Sequence, residues 1–270
     1  MNANVLVSVM SDSSRFEDEE SLKDFLAAQL YLGRLSLVLG AGASFGFGLP
    51  SWDVLIDNAF KKANISKPST KTNNESLSEH LLTKVCVNNE ILFAELIRDA
   101  LYQNYDLSFE TIRKNDLLAA IGAIVMSSLR GNVSRIISYN FDEVLEIYLK
   151  YFGFIINSVA SVPAWSLKSD VTIYHPHGFL PSKDEITSRI ILAQIQFDRI
   201  TGRDKEIWRQ IQLDILRSNT CLFIGLSGDD ANLRTVLTDV DEIHVCKQSN
   251  IKYRGIRFSD DIDDPNKMPS

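Results

Sequence analysis

The chain is poor in cysteine, in basic charge and in long apolar runs, and each shortage removes a class of function. Its three cysteines, Cys86, Cys221 and Cys246, are odd in number and far apart, so they can build neither a disulfide framework nor a Cys-x-x-Cys zinc pair. They read as reduced core thiols. Lysine and arginine total 28 against 35 acidic residues, a formal net charge of -7, so direct binding to nucleic-acid phosphates is not expected. The apolar segment at 5–10 has no basic residue before it and is too short for a signal core or a membrane span. A cytoplasmic protein without membrane contact is therefore the expectation. A strict Gly-x-Gly-x-x-Gly is also missing, because Phe45 stands where the third glycine would be.

What is present organises itself around Leu35-Ser36-Leu37-Val38-Leu39-Gly40-Ala41-Gly42-Ala43-Ser44. A continuous apolar run of this length suits a strand covered on both faces. Gly40 and Gly42 then allow a sharp turn that a pyrophosphate could approach without meeting a Cβ. The 270 residues, 45% of them hydrophobic, can fill the core of one large α/β domain or two modest ones.

In order, residues 1–34 form an acidic N-terminal segment and a lead-in helix, capped by Ser21 and stopped near Gly33. Residues 35–246 form the α/β domain, and 247–270 a polar tail. After the glycine turn, Ser51 caps a helix carrying Val54, Leu55, Ile56 and Phe60, and Trp52 is a packing anchor. Polar residues at 66–75 mark a linker. Apolar positions at three- and four-residue spacing in 77–82, 91–101 and 107–129 predict a helical insertion at about 70–130. Strands are expected at 133–139, 154–159, 171–174, 189–193, 221–226 and 242–246, and helices at 141–151, 196–218 and 232–240. The fold class is thus α/β: a parallel sheet with helices on both faces.

Ligands of such sheets sit at the carboxyl ends of the strands, and four of these junctions are polar. They are Gly40-Ala41-Gly42-Ala43-Ser44, Ser138-Tyr139-Asn140-Phe141-Asp142, His175-Pro176-His177-Gly178, and Gly225-Leu226-Ser227-Gly228-Asp229-Asp230-Ala231-Asn232-Leu233. Any one of them alone is explained by local capping and turn chemistry. Four along one edge point to a nucleotide site.

The order and form of these motifs, with Pro50-Ser51-Trp52 shortly after the first, resemble the sirtuin-like NAD-consuming enzymes and, within them, the bacterial sirtuin-like proteins of phage defence. The resemblance covers roughly residues 35–240 and implies a Rossmann-like sheet. It further implies that Gly40, Ala41, Gly42 and Ser44 cradle the NAD phosphates, and that Asn140 sits beside the nicotinamide ribose with Asp142 supporting that pocket. His177 would act as general base or ribose-hydroxyl partner. Ser227 would contact phosphate or ribose on the opposite wall, with Gly225, Asp230 and Asn232 of the same motif in the cofactor-binding set. His175 lies two residues from His177 and would face the same side of an extended segment, but only His177-Gly178 matches the family motif.

Two departures narrow the expectation. Protein-deacylating sirtuins carry a zinc module of paired cysteines, which this chain lacks, so no metal is expected. The arginine that follows the glycine turn in many deacylases is replaced by Leu49-Pro50-Ser51-Trp52. The first departure, with the helical insertion in place of the zinc module, favours hydrolysis of NAD itself to nicotinamide and ADP-ribose, by a homo-oligomer or a protein gated by an activating partner. Alternatives are a non-catalytic NAD or ADP-ribose binding module and an NAD-dependent deacylase or ADP-ribosyltransferase. A hydride-transfer domain would place a ribose-binding acid after a second strand about 20 residues on. Here Asp53 and Asp57 fall on an expected helix, so NAD is a substrate rather than a redox carrier.

Overall fold

An apolar run broken only by one serine must find cover on both faces, and the run at 35–39 does so as β1 (Leu35–Leu39), every residue of it buried. The computed structural model describes residues 19–68, 73–127, 133–162, 168–193, 196, 203–226, 236, 238 and 255–257. β1 lies inside a parallel sheet with β2 (Arg135–Ser138), β3 (Ile156–Val159), β4 (Val171–Tyr174) and β5 (Thr220–Ile224). A three-residue edge strand, β6 (Gly255–Arg257), falls within the expected polar tail. The order is β3-β4-β2-β1-β5-β6, and all pairings are parallel.

The two-residue period of the strands separates two cores. Leu35, Leu37 and Leu39 of β1, Ile136 of β2 and Leu222 of β5 face the larger core. That core is completed by α3 (Trp52–Lys62), α5 (Glu90–Leu101), α7 (Asp116–Val125) and α8 (Val144–Tyr151). Val38, Ile137 and Cys221 point the other way and meet Leu213, Ile215 and Leu216 of α9 (Arg203–Ser218). Helices therefore cover both faces. None of them is long and apolar enough to cross a membrane among the described residues.

Several expected boundaries shift for local reasons. α1 (Glu19–Tyr31) begins before Ser21, which lies in its first turn rather than at its cap. α2 (Ala41–Gly46) starts one residue after β1, so the glycine motif is already helical. The expected helix at 107–129 is divided into α6 (Phe109–Ile112) and α7 because Asn115 turns its side chain onto Leu118 N–H and caps a new start. Asn73 and Asn89 cap α4 (Asn74–His80) and α5 in the same way. α4 passes into a π-helical turn, Leu81–Val85. The expected helix at 141–151 begins only at Val144, since Asn140 to Glu143 remain irregular.

One expectation is corrected outright: residues 189–193 are not a strand. Their N–H groups go elsewhere, Ile191 to His177 O at 2.8 Å and Leu192 and Ala193 to Gln196 Oε1 at 3.0 and 2.9 Å, so no ladder can form. The expected strand at 242–246 lies outside the described residues, as does most of the helix expected at 232–240.

The sheet edge that matters is set by register. Leu39 pairs with Ser138 and Ile224, Ile137 with Tyr174, and Tyr174 with Val159. The carboxyl ends of β1, β2, β4 and β5 therefore lie in one row. β1 and β5 then turn in direct backbone contact: Gly40 N–H donates to Ile224 O at 2.9 Å and Gly42 N–H to Gly225 O at 2.8 Å. Gly225 has φ of +70°, and a Cβ there would stand 2.1 Å from Ala43 N. Gly225→Ala adds left-handed strain and a backbone clash, and is expected to cost about 3 kcal/mol. Gly153, also left-handed at φ +82° but with nothing near its Cβ direction, should cost only about 1 kcal/mol as alanine. Urea unfolding of the two variants checks the difference, and equal losses would refute the tight contact.

Candidate functional site

The row of strand ends brings most of the singled-out residues together. From the β1 turn, Ser44 is buried and its hydroxyl donates to Asp142 Oδ2 in the β2 loop. Asn140, one residue past Tyr139, sends its side-chain amide back to Gly40 O at 2.8 Å. Asp142 Oδ1 accepts from Val144 N–H at 3.2 Å, which fixes the start of α8. The β1 and β2 loops are thus stitched by two side chains, both buried.

The β4 end supplies two buried histidines in different settings. His177 packs its ring edge-on against Tyr139, with centroids 5.0 Å apart. Gly178 behind it has φ of +100°, and a Cβ there would lie 2.2 Å from Arg189 O, so the segment at 189–191 closes directly over the His177-Gly178 turn. His175 does not share the setting of His177. Its Nδ1 meets Asn140 O at 3.0 Å and its Nε2 meets Glu146 Oε1 at 2.8 Å.

The glycine turn differs from the expected cradle in one respect. The N–H groups of Gly40, Gly42 and Ala43 bond to Ile224 O, Gly225 O and Gly40 O, and a Cβ on Gly40 would strike the Leu226 side chain. These glycines serve first to let the β1 and β5 turns touch. Ala41 of the turn is half-buried and Gly42 is exposed, although the Gly42 N–H is already bonded to Gly225 O. Gly225 is part of that contact, whereas Ser227, Asp230 and Asn232 lie outside the described residues. No group of His, Cys, Asp and Glu able to hold a metal occurs among the described residues.

The interior of the site is acidic. Asp142, Glu143 and Glu146 are all buried. Burial first, then the Glu146 charge, pushes the Asp142 carboxyl up to about 6, against opposing hydrogen bonds from Ser44 and Val144 and the influence of His175. Two tyrosines of the helical layer reach the same region. Tyr102 OH accepts from Glu143 N–H and donates to Leu180 O, both at 2.9 Å. Tyr105 OH donates to Phe47 O at 2.8 Å. Burial raises both phenols, Tyr105 to about 12, and the charge of Asp142 adds to it.

Sequence reading missed Glu146, Tyr102 and Tyr105. The signal for Glu146 was an acid among the core positions Val144, Leu145, Tyr148 and Leu149 of α8; a buried acid in such company needs a partner. The tyrosines carried no comparable signal.

A family model described as SIR2-like domain matches residues 134–245. The match begins just before β2 and takes in Asn140, Asp142, His175, His177 and Gly225, whereas the glycine turn at 40–44 precedes it. It supports a sirtuin-like relationship, the use of NAD that usually accompanies such domains, and the Rossmann-like sheet. No curated protein matches the chain.

Asp142 also makes stability depend on pH. Its carboxyl sits near 6 in the fold against an ordinary 3.8, so the folded state binds more protons than the unfolded one between these values. Stability therefore falls as pH rises from about 4 to about 6, by roughly 3 kcal/mol from this group, and is flat above. Urea unfolding across that range should reveal the falling limb. Asp142→Asn should remove it, and Ser44→Ala, which deletes a bond favouring the carboxylate, should extend it to higher pH. An Asp142→Asn curve identical to wild type would refute this account.

Proposed function

We propose that the chain is a sirtuin-like NAD glycohydrolase that converts NAD and water to nicotinamide, ADP-ribose and a proton. The observation that carries the reading is the convergence of Ser44, Asn140, Asp142 and the His175-Pro176-His177 turn at the carboxyl ends of three adjacent parallel strands, beside the contact of the β1 and β5 turns. The strand order reverses between β1 and β5, next to these residues, and open α/β sheets bind nucleotides at such a reversal.

The chemistry asked of the residues is modest. The C–N bond between nicotinamide and ribose breaks, its electron pair leaves with the nicotinamide nitrogen, and positive charge develops on the ribose. Buried Asp142 and Glu143 give the interior a sign that suits both the cationic ring of the substrate and this transition state, whereas Glu146 is matched by His175. Asn140, already oriented by Gly40 O, is suited to hold the ribose or the attacking water. The His177 imidazole takes the proton as water adds to the ribose carbon. Ala41 and Gly42, the less buried residues of the glycine turn, are assigned to the pyrophosphate, and the family resemblance assigns Ser227, Asp230 and Asn232 to the cofactor-binding set.

The same reading assigns the protein to the cytoplasm as an NAD-depleting effector of bacterial anti-phage defence. It works as a homo-oligomer or under an activating partner, because unrestrained NAD loss is lethal. The missing zinc cysteines support hydrolysis over deacylation.

Nicotinamide release from labelled NAD, followed by chromatography, tests the proposal. His177→Ala and Asn140→Ala should each lower the rate by about 100-fold or more, with NAD affinity by calorimetry changed only a few-fold. Saturable NAD binding without nicotinamide release under any condition would instead identify a binding module. Release that depends on an acyl-lysine peptide would identify a deacylase.

A further inference from the structure

We infer that the buried His175–Glu146 pair is the positioning element that fixes Asn140 and His177 relative to each other; this rests on the reading of those two residues as the working groups of an NAD site. Both side chains of the pair are essentially sealed from solvent, at 1% and 2% exposure. Enclosed polar groups of this kind are costly unless fully matched.

The hydrogen-bond chemistry defines the pair. A peptide carbonyl only accepts, so the bond from His175 Nδ1 to Asn140 O requires the proton on Nδ1. The 2.8 Å contact from Nε2 to Glu146 Oε1 then contains one further proton. It exists as imidazolium against carboxylate or as neutral imidazole against carboxylic acid, and the proton count is the same in both. Without that proton a lone pair would face a carboxylate in a dry interior.

His175 is also tied through its main chain. Its N–H donates to Val159 O at 2.8 Å and its carbonyl accepts from Gly178 N–H at 3.0 Å, while its ring packs on Phe179 at 4.6 Å between centroids. One residue therefore joins the ends of β2, β3 and β4 to α8. The link to His177 passes only through Pro176, whose φ is fixed by its ring. The main chain of Asn140 is held at one end of this device and His177 is carried at the other. A His-x-His spacing thus divides the labour: the first histidine braces and the second faces the site.

Glu146→Gln keeps a donor for Nε2 and lets neutral His175 still donate to Asn140. Glu146→Met fills a similar volume without a polar group. With the full chain and NAD, Glu146→Gln should retain kcat within about 3-fold. Glu146→Met should lose between 10- and 100-fold in kcat, the scale of a small misplacement, with KM nearly unchanged. Equal kcat in the two variants overturns the inference. A readout independent of turnover is the ring-nitrogen NMR spectrum of 15N-histidine-labelled wild type, where Nδ1 of His175 must be protonated; an unprotonated Nδ1 overturns the inference as well. Absence of nicotinamide release from wild type would sink the glycohydrolase reading alone. The pair is then judged by the Asn140 side-chain amide resonance, expected to hold in Glu146→Gln and move in Glu146→Met, and an unmoved resonance in both counts against it.

Discussion

The architecture depends on two turns that meet without a side chain between them. β1 and β5 end level with each other, and their backbones continue in contact through Gly40, Gly42 and Gly225. A methyl group at Gly225 or Gly40 would separate the strands at the edge where their register sets every later loop. Glycine is usually credited at such turns with making room for phosphate. Here the room is taken by the protein itself, and whatever binds above the turn rests on a foundation already fastened by peptide hydrogen bonds.

From that foundation the polar groups build outward as a connected set. Asn140 returns to the β1 turn, Ser44 reaches forward to Asp142, and His175 and Glu146 brace the far side. Each bond is shielded from water, so each is stronger than its exposed equivalent and each lost partner is more costly. Acids dominate the set. Such an interior disfavours an anion and is compatible with a cationic group.

The sequence made much of the sheet legible, because burial on both faces leaves an unmistakable mark on a strand such as 35–39. It also made legible that Gly40, Asn140, Asp142, His177 and Gly225 gather at one edge, since parallel strands deliver the residues after them to the same side. Other features were hidden for physical reasons. Asn115 divides an apolar stretch whose periodicity alone predicts one helix. The segment at 189–193 is apolar enough for a strand, but its donors are claimed by His177 O and Gln196. The partnership of His175 with Glu146 needs the register of β4 against α8, which no local pattern contains. Ser227, Asp230 and Asn232 remain expectations from motif order.

Tyr102 carries a mechanical consequence. One hydroxyl at the end of α5 holds Glu143 N–H on one side and Leu180 O on the other, so the helical layer grips the loops after β2 and β4 at the same atom. Rotation of α5 about its axis must drag both loops or break both bonds, and the loops carry Asn140 and His177. The helical layer is therefore tied to the sheet edge as well as covering it, and one phenol joins the two loops that carry Asn140 and His177.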